Sequence, residues 1–241
     1  TPNQDQTNFA NLLLVSGIEQ QIKDVGDALE TNWSFEDAGL QLKKLSGDEE
    51  WCLRSRSVFL PDSIVETARQ IHPSVQGELT YLVNAIRGQG GEALESLIPY
   101  SMVTGVEPHP DGVLQPGWEE DKVALNQWSA NDLNLSVGDF VTLEYFVLGE
   151  RRELIENSRS FQIGNILPMP EKIQTGEESD WTPRFPGLSD AENCGEWDTG
   201  IPIKHKIRKK DEDYWDEYRG TPKAFISLKA AQDMWVNRWG N

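Results

Sequence analysis

Lys122-Val123-Ala124-Leu125-Asn126-Gln127-Trp128-Ser129-Ala130-Asn131-Asp132-Leu133-Asn134-Leu135-Ser136-Val137-Gly138-Asp139-Phe140-Val141-Thr142-Leu143 holds two apolar runs on either side of a short polar-rich segment and a glycine turn. It predicts a strand over Lys122–Asn126, a short helix around Trp128 to Leu133, a turn at Val137-Gly138-Asp139 and a strand over Phe140–Leu148. Gly138 can take the positive-φ position of a turn, and Asp139 can hydrogen-bond nearby backbone. Two strands around a short helix, joined by a tight turn, point to a mixed fold in which strands dominate.

The surrounding sequence extends that pattern. Upstream, Phe9 to Val15 reads as a buried strand turned by Gly17, and Ile18, Ile22, Val25 and Leu29 form one apolar helix stripe. A short strand follows between Gly39 and Gly47, then a mixed-face strand over Trp51 to Leu60. A helix with the Ser63/Glu66 capping-box spacing ends at Pro73. Strands are expected over Glu78–Ile86 and Leu97–Val106. Downstream, Gly149-Glu150-Arg151 reads as a hairpin turn leading to a partner strand within Arg152–Leu167. A long acidic loop, Met169–Gly200, precedes a strand at Lys223–Leu228 and a helix carrying Ala231, Met234, Trp235 and Trp239. No internal repeat is visible. The fold class is α+β, since strands and helices do not alternate regularly enough for a doubly wound sheet.

Charge limits the partners. The 241 residues carry a formal net charge of −18, which repels nucleic acid and anionic headgroups, so no nucleic-acid partner is expected. The one basic cluster, Lys204-His205-Lys206-Ile207-Arg208-Lys209-Lys210, runs into Asp211-Glu212-Asp213 and reads as a solvated loop or helix face, with a phosphate-binding patch as the alternative. No segment approaches the roughly 20 continuous apolar residues of a membrane helix. The earliest methionine is Met102, so the sequence reads as a processed or excised piece. Cys52 and Cys194 are too few for a disulfide framework; they either pair or stay as buried thiols.

Several segments carry a family resemblance, two of them foremost. The 122–143 stretch resembles the strand, short helix and Val-Gly-Asp turn of the extracytoplasmic domains of FtsX-like ABC-transporter permeases. Asp213-Tyr214-Trp215-Asp216-Glu217-Tyr218-Arg219-Gly220-Thr221-Pro222-Lys223-Ala224-Phe225-Ile226-Ser227-Leu228, with Gln232, Trp235 and Asn237 to Asn241, looks like the stretch before the second membrane helix in one branch of those permeases. Phe185 to Cys194, with Trp197-Asp198 and Gly200 to Ile203, is similar to the same branch, and Leu79–Asn84, Pro99–Ser101 and Gly105–Pro108 match more weakly.

The resemblance implies a MacB-like periplasmic core. It would hold a Porter-like α/β subdomain from 1–106 and 205–241, with a β-rich Sabre-like insertion at 107–204. The two chain ends would lie close together on one face. It implies a place on the extracytoplasmic, periplasmic side of a bacterial inner membrane, tied to the remainder of the permease. The partners would be a cognate ATPase subunit, which binds the ATP, and an extracytoplasmic protein or cargo.

No catalytic, cofactor or metal residue is expected. His72, His109 and His205 lie at no metal-ligand spacing from one another or from a cysteine. No Gly-x-Ser-x-Gly elbow exists, and Gly88-Gln89-Gly90-Gly91 lacks the spacing and lysine of a phosphate loop. The acidic run Asp211, Glu212, Asp213, Asp216 and Glu217 around Tyr214, Trp215 and Tyr218 reads first as packing, then as a partner contact, and last as a sugar-cleaving or calcium site. In the long acidic loop Trp181, Phe185, Leu188 and Trp197 are the candidate partner-contact anchors. The resemblance, with no catalytic constellation beside it, implies a non-catalytic transmission module. The competing reading is a secreted carbohydrate-binding or carbohydrate-cleaving protein, suggested by nine tryptophans and abundant acid.

Overall fold

The computed structural model describes residues 16–45, 50–55, 59–89, 97–151, 153–173, 179–183, 187, 191 and 202–236. The expected strand Phe9–Val15 and both chain ends lie outside the described residues. The chain divides into two compact units, Thr1–Val58 and Phe59–Asn241.

In the first unit α1 (Glu19–Asn32) begins where Gln21 reaches back to accept a hydrogen bond from the Ile18 backbone at 3.1 Å. Its expected apolar stripe is largely uncovered, with Ile22 and Leu29 exposed and Val25 half-buried. An antiparallel hairpin follows, β1 (Leu40–Lys44) paired with β2 (Trp51–Ser55). Cys52 is half-buried in β2, and Cys194 lies outside the described residues.

The second unit starts with α2 (Asp62–Ile71). The Ser63 cap expected from sequence is displaced: the cap is Pro61, which makes no side-chain cap bond, and its carbonyl accepts from Ile64 at 2.9 Å. Proline tolerates this place because it presets φ and the missing N–H would have no partner there. The remaining elements are β3 (Glu78–Gly88), β4 (Leu97–Val106), β5 (Lys122–Asn126), α3 (Gln127–Leu133), β6 (Phe140–Leu148), β7 (Leu154–Leu167), α4 (Lys209–Tyr218), β8 (Ala224–Ser227) and α5 (Leu228–Trp235).

The six strands β3 to β8 close into a barrel in the order β3-β4-β8-β5-β7-β6. Hairpins β3/β4 and β6/β7 are antiparallel, and so are β3/β6 and β5/β8; β4 runs parallel to β8 and β5 parallel to β7. Exchanging β3, β4, β5 and α3 for β6, β7, β8 and α5 reproduces every one of these pairings. The topology is thus an approximate two-fold repeat of strand-strand-strand-helix, which the sequence does not reveal. Even the helix starts match. The side chain of Asn126 accepts from Ser129 N at the end of β5, and that of Ser227 accepts from Ala230 N at the end of β8. The barrel draws β3, β4 and β8 from the ranges 1–106 and 205–241, and β5 to β7 from 107–204.

Val83, Ile86, Ile98, Val103, Val123, Leu125, Val141, Leu143, Phe161, Ile163 and Ile226 fill the interior, joined by Ala230, Ala231, Met234 and Trp235 of α5. Alternation explains β6, where Val141, Leu143 and Tyr145 point in. All ten residues of β4 are buried, because its outer face is covered as well. Met102 packs on Trp215 of α4, and Val106 shares a cluster with Leu114 and Phe225. Gly105 lets α5 approach, since a Cβ there would meet the Ala231 Cβ at 2.3 Å. The expected turn is present: Gly138 has φ +98°, its N–H donates to Ile163 O at 2.8 Å, and Asp139 accepts from Ser136 N at 2.8 Å. Among the described residues no helix is long and apolar enough to cross a membrane.

Candidate functional site

Helix α4 is the element the sequence hid. Its first turn looks like a solvated basic-to-acidic run, yet it carries a buried charge cluster. Asp211, three residues into the segment, turns back to accept from Arg208 N at 2.9 Å, Arg208 Nε at 2.7 Å and Arg208 Nη2 at 2.6 Å. Arg208 Nη2 also reaches Asp132 of α3 at 2.8 Å, and Lys210 pairs with the other oxygen of Asp132. Lys223, just before β8, brings its ammonium to 3.8 Å from Asp211. Side-chain exposures of 6% for Asp132, 5% for Asp211, 14% for Arg208 and 5% for Lys223 place two carboxylates and two cations together away from water. Such charges are tolerated inside only when paired and hydrogen-bonded. The solvated reading of the basic cluster therefore fails at Arg208. Carboxylates from two helices meet it, which no local charge pattern could indicate. Burial works against the Arg208 charge, but its bonds to Asp211 and Asp132 outweigh that and hold its pKa above the ordinary value.

Aromatic rings complete the cluster. The Lys223 ammonium lies 4.4 Å from the ring centres of both Trp128 and Tyr214. That arrangement is a cation–π cage of the kind that recognises ammonium groups. Here the chain's own lysine fills it. Asn126 Nδ2 donates to Tyr214 Oη at 2.9 Å, and Tyr214 Oη donates to Thr221 O at 3.2 Å. Burial pushes the Tyr214 phenol well above its usual pKa, against the pull of the Asn126 bond. α3, α4 and β8 are thus fastened by charge, ring and amide contacts around one lysine. The acidic-aromatic run resolves accordingly: Tyr214 and Trp215 turn inward, while Asp213, Asp216 and Glu217 face out. A stacking platform for sugars needs exposed ring faces, which these two residues do not offer.

Beside the cluster lies a cleft lined by Leu82, Met102, Trp215, Arg219 and Lys223, with a volume of about 20 Å³. That accommodates water-sized occupants; ligand pockets for metabolites are roughly ten-fold larger or more. Tyr100 and Arg219, which also border the cleft, have φ of +37° and +49°. Outside glycine such angles cost about 1–3 kcal/mol and persist where surrounding structure imposes them. The Tyr100 hydroxyl accepts from the backbone N–H of Lys204 and, at 2.8 Å, from that of His205. Lys204 Nζ pairs with Glu156 at 2.6 Å, which is the leading cause of the lowered Glu156 pKa. His205 Nε2 lies 3.5 Å from Glu144, itself bonded to Arg87 at 2.8 Å.

Of the four candidate anchors, Trp181 is described. It is half-buried, edge-on to Phe225 at 5.2 Å, and its carbonyl accepts from Thr80 Oγ1 at 2.7 Å. Thr182 Oγ1 donates to Gly220 O at 2.5 Å. These contacts pin this part of the acidic loop to the barrel at Thr80 and Phe225 and to the residue after Arg219 at Gly220. Phe185, Leu188 and Trp197 lie outside the described residues. The histidines stay apart: His72 Nδ1 is 2.8 Å from Ser74 Oγ, His109 Nδ1 accepts from Asp111 N at 3.2 Å, and His205 faces Glu144. Among the described residues no three His, Cys, Asp or Glu side chains gather as a metal site.

No protein-family model matches the chain, and no curated protein is significantly similar to it.

Proposed function

We propose that this chain is a non-catalytic extracytoplasmic module of an FtsX-like or MacB-like ABC-transporter permease. It would pass the movement of membrane helices to a substrate or partner outside the cytoplasm. One observation carries the reading. The two segments that resemble that family, 122–143 and 213–228, interlock. β5 pairs with β8 through Val123↔Ile226, Ala124↔Phe225 and Leu125↔Ala224, Asn126 bonds Tyr214, and Lys223 lies over Trp128. Residues distant in sequence thus specify one three-dimensional unit, which favours a shared design over two unrelated local likenesses. Transmission by rigid-body displacement also requires a densely packed body, and a closed barrel plugged by a helix is one. On this reading ATP is bound by a separate ATPase subunit, and the remainder of the permease ties the module to the inner membrane.

The test is a reporter fusion at Asn241 of the gene product in a bacterial host. Alkaline phosphatase, which becomes active only outside the cytoplasm, is expected to be active and to sediment with membranes. Activity released into the medium would favour the secreted carbohydrate-directed reading. A silent fusion would overturn both.

A further inference from the structure

We propose that the segment 202–220, strap plus α4, is a hinged flap that opens as a unit while the barrel beneath stays folded. The barrel does not need it: all six strands pair with one another, and the plug of the main core comes from α5 rather than α4. The flap has its own small apolar seal, Trp215 and Ile207 against Met102 and Leu82. Its other described fastenings are aromatic and polar. Tyr214 lies 5.0 Å from the Trp128 ring, under the Lys223 ammonium and bonded to Asn126, and Lys172 and Ile173 N hold Glu217. The Tyr100 hydroxyl holds two strap N–H groups, Lys204 binds Glu156 and lies 5.3 Å from the Phe146 ring, and Arg208 and Lys210 bind Asp132.

A flap also needs a hinge. Arg219 has φ 49° and ψ −133°, outside the favoured regions, and Gly220 follows it. Opening lets Arg219 relax, and it releases Tyr100, whose positive φ within β4 accompanies its grip on the strap. Elements seated outside the main core, held by a small seal and by contacts that water can replace, open below the threshold of global unfolding. The open form uncovers Leu82 and Met102, turning the small cleft into an apolar groove with Lys223 at its edge. The inference is independent of the transporter reading.

Native-state hydrogen exchange on the whole 241-residue chain in graded, sub-denaturing urea tests it. In the wild type, α4 amides should exchange at least about ten-fold faster than those of β3, β4 and β8, through an opening of shallower urea dependence. Tyr100→Phe removes the shared acceptor of two N–H groups and should speed α4 exchange a further ten-fold or so, leaving β6 and β8 unchanged. If that variant does not fold, Glu156→Gln, which weakens the Lys204 side of the strap and keeps an oxygen for Asn84 of β3, makes the same comparison. Wild-type α4 amides that merge with β4 at every urea concentration overturn the proposal. So do variants that leave α4 unmoved, or that accelerate α4 and the barrel alike.

Discussion

Asn126 and Ser227 stand at matching places in the two halves of the barrel, and only one of them has a second task. Ser227 Oγ caps α5 by accepting from Ala230 N at 3.1 Å. Asn126 Oδ1 caps α3 by accepting from Ser129 N at 2.8 Å, and its Nδ2 donates to Tyr214 Oη at 2.9 Å and to Pro222 O at 3.3 Å. Losing a cap costs about 1 kcal/mol, so Ser227→Ala should destabilise by that amount. Asn126→Ala loses the cap and also leaves buried acceptors without their donor, which adds about 1–2 kcal/mol, for a total of about 2–3 kcal/mol. Asn126→Ser keeps a capping oxygen and should fall between them. Equilibrium urea unfolding followed by tryptophan fluorescence reads the differences, as shifts in midpoint at constant slope. Equal losses for the alanine variants at 126 and 227 would refute the claim that Asn126 ties α4 to the barrel.

Packing and pH supply two more tests. Gly105→Ala places a methyl 2.3 Å from the Ala231 Cβ and should lower stability by about 1–3 kcal/mol, with Ala231→Gly in the same chain restoring part of it; full wild-type stability of the single variant would show that α5 does not sit this close. Tyr81, stacked 4.6 Å from Trp235, has its pKa raised by burial to about 12 from 10.0. The folded state holds that proton more tightly than the unfolded chain, so the associated stability is complete below pH 10 and is lost as pH rises towards 12. Tyr81→Phe should flatten the alkaline decline of stability in that window, and an unchanged alkaline profile would contradict it.

Local sequence determined where most elements lie. Alternating apolar residues mark β6, the Val137-Gly138-Asp139 turn carries the glycine that a positive φ needs, and the apolar run Leu97–Val106 delimits β4 to the residue. These features depend on neighbours a few positions away, within reach of a periodicity argument. Tertiary structure alone decided the closure of the barrel, its parallel pairs β4/β8 and β5/β7, and its two-fold topology. Those pairings join strands far apart in the chain, and backbone hydrogen bonds carry no side-chain signature of which partner they take. The same holds for the charge cluster. Lys204 to Asp213 looks like a solvated run because its letters are charged, yet Arg208 and Asp211 are buried beside Asp132 of α3 and Lys223, whose ammonium sits between Trp128 from the distant α3 and Tyr214 of α4 itself. Whether a charge is paired or hydrated is a property of what the fold brings to it, and that is fixed only when the barrel closes.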